Sequence, residues 1–172
     1  MSNMSSRITQ KGFTIIELVI VVVVIAILAT VAVVAYNGTQ NKAHDATVRS
    51  DMDSTSGLLE NFRVAASNSG HLFPQDTTEL AKVGVEVTKP SYRLTRSSNF
   101  VYCVDESNFQ SYALVAESKS GAILVETQDG FKSTAITGSD FSDADSICSS
   151  LDMSLVSSGM SAPNTWQTWV NN

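Results

Sequence analysis

From Phe13 to Tyr36 the chain is apolar at almost every position, and Glu17 is the only charge. A run with no polar side predicts a helix that is apolar all round. At 1.5 Å per residue it extends roughly 36 Å, enough to cross a hydrocarbon core of about 30 Å. Past Asn37 the pattern thins. Val48, Met52, Thr55, Leu59, Phe62 and Ala66 recur at 4-3-4-3-4 spacing, while Lys42, Asp45, Arg49, Asp53, Glu60 and Arg63 mostly fall off that stripe. This predicts an amphipathic continuation to about Ser67, ended by Asn68-Ser69-Gly70. Asn37-Gly38 and Gly57 are weak points for a bend, and a loop at Asn37-Gly38 is the alternative to one long spine.

Further along, apolar residues gather into short β-rich runs at Asn99–Val104, Ser111–Glu117, Ala122–Thr127 and Phe131–Ala135. Lys119-Ser120-Gly121 and Asp129-Gly130 supply turns, so the connections favour an antiparallel meander packed on the helical stripe. Pro74 breaks the chain, and Asp76-Thr77-Thr78-Glu79 has the form of a capping box opening a short helix through Lys82. Asp143 to Leu151 is expected to form a further helical turn. The predicted fold class is α+β: a long N-terminal helix, apolar in its first half, packed by an antiparallel sheet.

Glu17 changes the picture. A charge within a membrane-spanning helix costs on the order of 2.5–3.5 kcal/mol at mid-bilayer, and less near an end. An ordinary anchor needs no such residue, so a partner is expected to offset it. The order of parts also excludes an ordinary secretory signal, whose cleavage site follows the apolar core. Here a polar leader carrying Arg7 and Lys11 ends at Gly12, ahead of the core. Cleavage at Gly12–Phe13 would leave the helix on the mature protein and create an amine at Phe13, four residues from Glu17 and on the same helical face. Amine and carboxylate would complement each other between neighbouring subunits. Glu17 snorkelling to the headgroups of an uncleaved anchor is the alternative.

Residues 11–36, opening Lys11-Gly12-Phe13-Thr14-Ile15-Ile16-Glu17-Leu18, resemble the N-terminus of type IV prepilins. The resemblance implies a membrane prepilin peptidase that cuts after Gly12 and methylates the Phe13 amine. It further implies that Glu17 pairs with the Phe13 amine of an adjacent subunit and sets axial register in a helical filament. Ala26 and Val34 stand where many type IV pilins carry glycine and proline, so a more continuous helix is expected here than in those relatives. The implied organisation is a cleaved leader over 1–12, a membrane and filament-core helix over 13–36, its amphipathic continuation over 37–68, and a β-rich head over 69–172. The implied partners are copies of the chain, other pilins, the peptidase and a membrane-embedded assembly machinery. A single-pass protein of the inner membrane with its head outside would become an extracellular pilus, with adhesion or twitching motility as associated roles.

Composition bounds the head. Arg7 and Lys11 are two of 11 cations and Glu17 is one of 17 acids, so residues 37–172 carry 9 and 16, a net of −7 before histidines. The leader's cations favour the cytoplasmic side, which puts those residues outside. An acidic surface disfavours phosphate binding. Cys103 and Cys148 are the only cysteines, and in an exported domain they suggest one disulfide; two free buried thiols are the alternative. The closed loop would stabilise the fold by about 4 kcal/mol. The pilin resemblance implies the same bond.

No cofactor, metal or catalytic residue is expected. His44 and His71 lack a nucleophile placed beside them by any known motif. Asp140, Asp143 and Asp145 could offer oxygens to Ca²⁺, but their spacing matches no EF-hand loop and favours helix capping. Lys89, Arg93 and Arg96 read as a solvated edge, with DNA capture by a competence-type minor pilin a minority reading. A pseudopilin of a type II secretion-like machine shares the N-terminal motif. Trp166 and Trp169, in a tail with Pro163, either clip back onto the sheet or touch a neighbouring subunit; clipping back is preferred.

Overall fold

The computed structural model describes residues 12–65, 70, 72–133, 136–162 and 165–170. Two compact units divide at Thr39/Gln40, and helix α1 (Ile15–Val64) contributes residues to both. The helix passes through Asn37-Gly38 and Gly57 without interruption, so the loop alternative is not what forms. In the single chain it is also helical from Ala26 to Val34. The expected stop at Asn68-Ser69 lies outside the described residues.

In the second unit a five-stranded antiparallel sheet has the order β4-β3-β2-β1-β5. The strands are β1 (Phe100–Val104), β2 (Tyr112–Glu117), β3 (Ile123–Thr127), β4 (Gly130–Lys132) and β5 (Ser154–Ser158). The first four form the expected meander. Gly121 and Gly130 hold φ of 94° and 100° at its turns, a region that other residues rarely adopt. β1 and β2 are buried at every position because both faces of the sheet are covered.

Phe100, Tyr102 and Val104, with Tyr112, Leu114 and Ala116, join a core that includes Val48, Met52 and Leu59 of α1. Val101, Cys103, Ala113 and Val115 meet Phe141, Ile147 and Cys148 on the opposite face. That second layer is built on helix α3 (Ala144–Ser149), and the Cys103–Cys148 disulfide staples it to β1. The α+β class, the antiparallel sheet and the disulfide are therefore present as expected.

Helix α2 (Thr77–Val83) is capped by Asp76, whose side chain accepts from the Thr78 and Glu79 N–H groups, while Glu79 accepts from the Gln75 N–H at 2.9 Å. The tail folds back. Strands β6 (Met160–Ala162) and β7 (Thr165–Trp166) pair, Trp169 stacks on Phe100 at 5.9 Å, and its Nε1–H donates to Ser157 Oγ at 2.8 Å. Strand β5 was absent from the sequence reading. Its serine-rich run carries only Leu155 and Val156 as apolar residues, and pairing with β1 overrides that weak signal.

Candidate functional site

The candidate site is the start of α1. Thr14 and Glu17 form a reciprocal capping box. The Glu17 N–H donates to Thr14 Oγ1 at 3.3 Å, and Glu17 Oε2 accepts from the Thr14 N–H at 2.9 Å and its hydroxyl at 2.7 Å. These bonds satisfy groups that a helix start leaves open. Thr14 was missed as a functional residue in the sequence reading, although Thr-x-x-Glu ahead of an apolar run is the signal for this cap. Both bonds to the carboxylate fall on Oε2. Among the described residues no cation pairs with Glu17.

The apolar side chains that follow are open. Exposure is 85% at Phe13 and Ile15, and Val19, one of the least exposed, is still 48% accessible. The few polar groups turn inward on the backbone: Thr30 Oγ1 donates to the Ile27 carbonyl at 2.7 Å, and Thr39 Oγ1 to the Ala35 carbonyl at 3.0 Å. A helix in hydrocarbon must satisfy its polar atoms internally, and these hydroxyls do so. Among the described residues α1 is the helix long and apolar enough to cross a membrane.

Residues 7–33 match the family model for the prokaryotic N-terminal methylation motif. The N-terminus carries the type IV prepilin signature. That match supports a precursor of the pilin or pseudopilin type, and the motif implies processing by a prepilin peptidase. The prepilin signature and the apolar helix fit membrane anchoring. No curated protein and no solved structure matches the chain.

Behind the prepilin signature, the head places the other candidates as follows. Thr137 and Asp140 form a capping box at the 3-10 turn Gly138–Ser142, and Asp143 caps α3 through the Asp145 N–H. Asp140 and Asp143 therefore act as caps, and among the described residues no group of acids, histidines or cysteines could hold a metal ion. His44 Nδ1 lies 3.4 Å from Ser91 Oγ. His71 lies outside the described residues.

The basic patch is a correction. Arg93 Nε and Arg96 Nε approach the Glu117 carboxylate to 3.3 and 3.2 Å, and that carboxylate is buried at the end of β2. Burial raises the Glu117 pKa, with the two guanidiniums opposing the rise. Arg93 and Arg96 are therefore tied to an internal acid and only about a third exposed, 34% and 30%, rather than a freely solvated edge. The signal available in the sequence was Glu117 itself, a carboxylate closing an otherwise apolar strand.

Proposed function

We propose that this chain is a prepilin, cut between Gly12 and Phe13, methylated on the Phe13 amine and polymerised through its N-terminal helix into an extracellular type IV pilus. The observation that carries this reading is the polar-to-apolar junction at Gly12–Phe13, with Glu17 four residues on and the whole apolar run retained after it. Before assembly the helix holds the subunit in the inner membrane with its head outside. On extraction it is buried among copies of itself, and Glu17 meets a neighbour's Phe13 amine. A carboxylate in hydrocarbon is strongly unfavourable alone and tolerable when paired, so the pair selects one axial register.

The exposed all-round apolar surface supports this, since a helix with no polar face needs partners on every side. The head then serves as a structural outer surface and not as an enzyme, its disulfide resisting unfolding outside the cell.

N-terminal mass spectrometry and electron microscopy of sheared surface material test the proposal. A methylated Phe13 start in long fibres is the expected result. Material that keeps Met1 and stays monomeric would refute it, and short periplasmic polymers would reassign the chain to a pseudopilus. Glu17→Ala is expected to abolish filaments while leaving the precursor in the membrane; normal assembly by that variant removes Glu17 from the mechanism.

A further inference from the structure

We infer that an apolar-floored, lysine-rimmed groove on the head docks onto the anionic lipid headgroups of the membrane that holds the subunit before assembly. This inference rests on the membrane-anchored stage of the reading above and needs no filament. The groove encloses about 670 Å³ between residues 89–95 and Lys119. Exposed Pro90 and half-buried Leu94 give it an apolar lining, and Lys89, Arg93 and Lys119 give it charge. Arg93 is committed to Glu117, whereas Lys89 and Lys119 have no ion-pair partner among the described residues. The backbone beneath is fixed. The Lys119 N–H donates to the Ser91 carbonyl at 2.8 Å, and the Arg93 N–H donates to the Glu117 carbonyl at 3.1 Å. Lys89 Nζ sits 5.7 Å from the ring of half-buried Trp166, a residue type that favours membrane–water interfaces.

Position along the chain points to lipid. The segments that carry the two lysines are tied to α1 close behind the apolar run: Ser91 Oγ lies 3.4 Å from His44 Nδ1, and the Ser120 hydroxyl donates to Asp45. Eight residues separate His44 from Tyr36, roughly 12 Å of helix. The headgroup layer and one Debye length beyond it together cover on the order of 15 Å. With the apolar run in hydrocarbon, chain length alone keeps these lysine-bearing segments within the field of the leaflet. Asp45 and Asp51 adjoin this end, accept hydrogen bonds from Ser120, Tyr92 and Thr88, and pair with neither lysine. The acidic segment 138–153 adjoins the other end, where Gly138 lies beside Arg96 and the Ser97 hydroxyl donates to the Ser142 carbonyl. Phosphodiester headgroups suit the lysines, and glycerol and acyl groups suit Pro90 and Leu94. Nucleic acid fits less well, because binding to phosphates draws on many cations and an apolar floor offers the backbone nothing. Docking orients the head on the leaflet, and extraction breaks the contact.

The test uses the full-length chain in vesicles of phosphatidylcholine, alone or mixed equally with phosphatidylglycerol. Each contains a headgroup spin-labelled phosphatidylcholine, which quenches tryptophan at short range, and Trp166 is the reporter. At low salt, quenching is expected to be stronger in the anionic vesicles, and high salt should remove that excess. Lys89→Glu with Lys119→Glu should also remove it, since two lysines at an anionic surface are worth roughly 30-fold in the docked-to-free ratio. Lys89→Arg with Lys119→Arg should keep it. Disulfide formation controls for folding, and flotation with the vesicles for anchoring. Equal quenching in the two vesicle types, or an excess that survives the glutamate pair, would overturn the groove contact. So would loss of the excess to inorganic phosphate at matched ionic strength, which would give the groove a free anion. Quenching indifferent to lipid together with retention of duplex DNA would hand it to nucleic acid. A chain that floats without the anionic excess refutes only the groove; one that fails to float refutes the anchored stage and the groove with it.

Discussion

The two halves of α1 obey the same helical geometry and bury opposite amounts of themselves. Before Gln40 the large apolar side chains are all about half exposed or more, with Val31 at 64% and Val34 at 74%. After it, Val48, Met52 and Leu59 are fully buried and Thr55 nearly so. The difference lies in where the apolar atoms point. A four-and-three spacing makes one stripe, and one stripe can be covered by one sheet. An unbroken run makes a cylinder, which a single sheet cannot cover, so its partners must come from lipid or from other helices.

Two carboxylates sharpen the contrast. Glu117 interrupts an apolar strand and is answered inside the chain by Arg93 and Arg96. Glu17 interrupts an apolar helix and is answered only by the Thr14 cap, with no cation paired to it among the described residues. The first carboxylate belongs to a folded head. The second is the residue on which the proposed pairing between subunits depends.

The largest expected effect on the head comes from its staple. Replacing both Cys103 and Cys148 by Ser should lower unfolding stability by about 4 kcal/mol, the chain-entropy value for a loop of this length. Denaturation followed by Trp fluorescence in detergent measures it, since Trp169 is buried. Equal stability with and without the bond would show that the α3 layer holds itself.

The contrast between the halves can be broken by paired truncations. Leu59→Ala, at a fully buried position, should cost about 3 kcal/mol in the same assay. Val31→Ala should leave head unfolding within about 0.5 kcal/mol, as exposed sites do. A matching loss at Val31 would mean that the first half also stabilises the head.

A pH dependence is expected from Glu126 on β3. Its side chain is buried and Oε2 has no hydrogen-bond partner. Burial, then the Asp53 carboxylate of α1, push its pKa up to about 7, against smaller opposing contributions from the Ser56 hydroxyl and Arg49. Across the sheet Tyr112 lies within electrostatic reach and Phe131 is its register partner on β4. Arg49 stands 3.9 Å over the Phe131 ring. The folded state therefore holds this proton more tightly than the unfolded chain, whose ordinary value is 4.5. The contribution is fully present below pH 4.5 and lost as pH rises to about 7, amounting to on the order of 3 kcal/mol. Glu126→Gln should flatten that profile and stabilise the head at pH 8. An unchanged profile in the variant would assign the titration elsewhere.

The smallest effect is a gain. Gly57 lies in the helix with open space where a Cβ would stand, so Gly57→Ala should stabilise the head by about 0.5–1 kcal/mol. A loss would indicate that the position contacts something outside this chain.

Much of this was legible in residue order. Periodicity marked the apolar run, the stripe and four strands, because each signal is local and repeats over several residues. Dipeptides such as Asp129-Gly130 marked turns because their backbone chemistry is local too. Strand β5 was illegible, since a serine-rich segment becomes a strand only when β1 lends it a hydrogen-bonding edge. The role of Arg93 and Arg96 was hidden for a related reason: their partner lies more than twenty residues away, and no pattern along the chain records that approach.

The sequence alone determined which half of α1 would lack a polar face, and where the junction at Gly12–Phe13 stands before it. Those properties follow from side-chain chemistry and helical pitch, which need no knowledge of the rest of the molecule. The tertiary structure decided which cations are already neutralised, which acids are buried, and that the sheet is covered on both faces. Charge and burial depend on distances across the fold, and folding alone sets those distances.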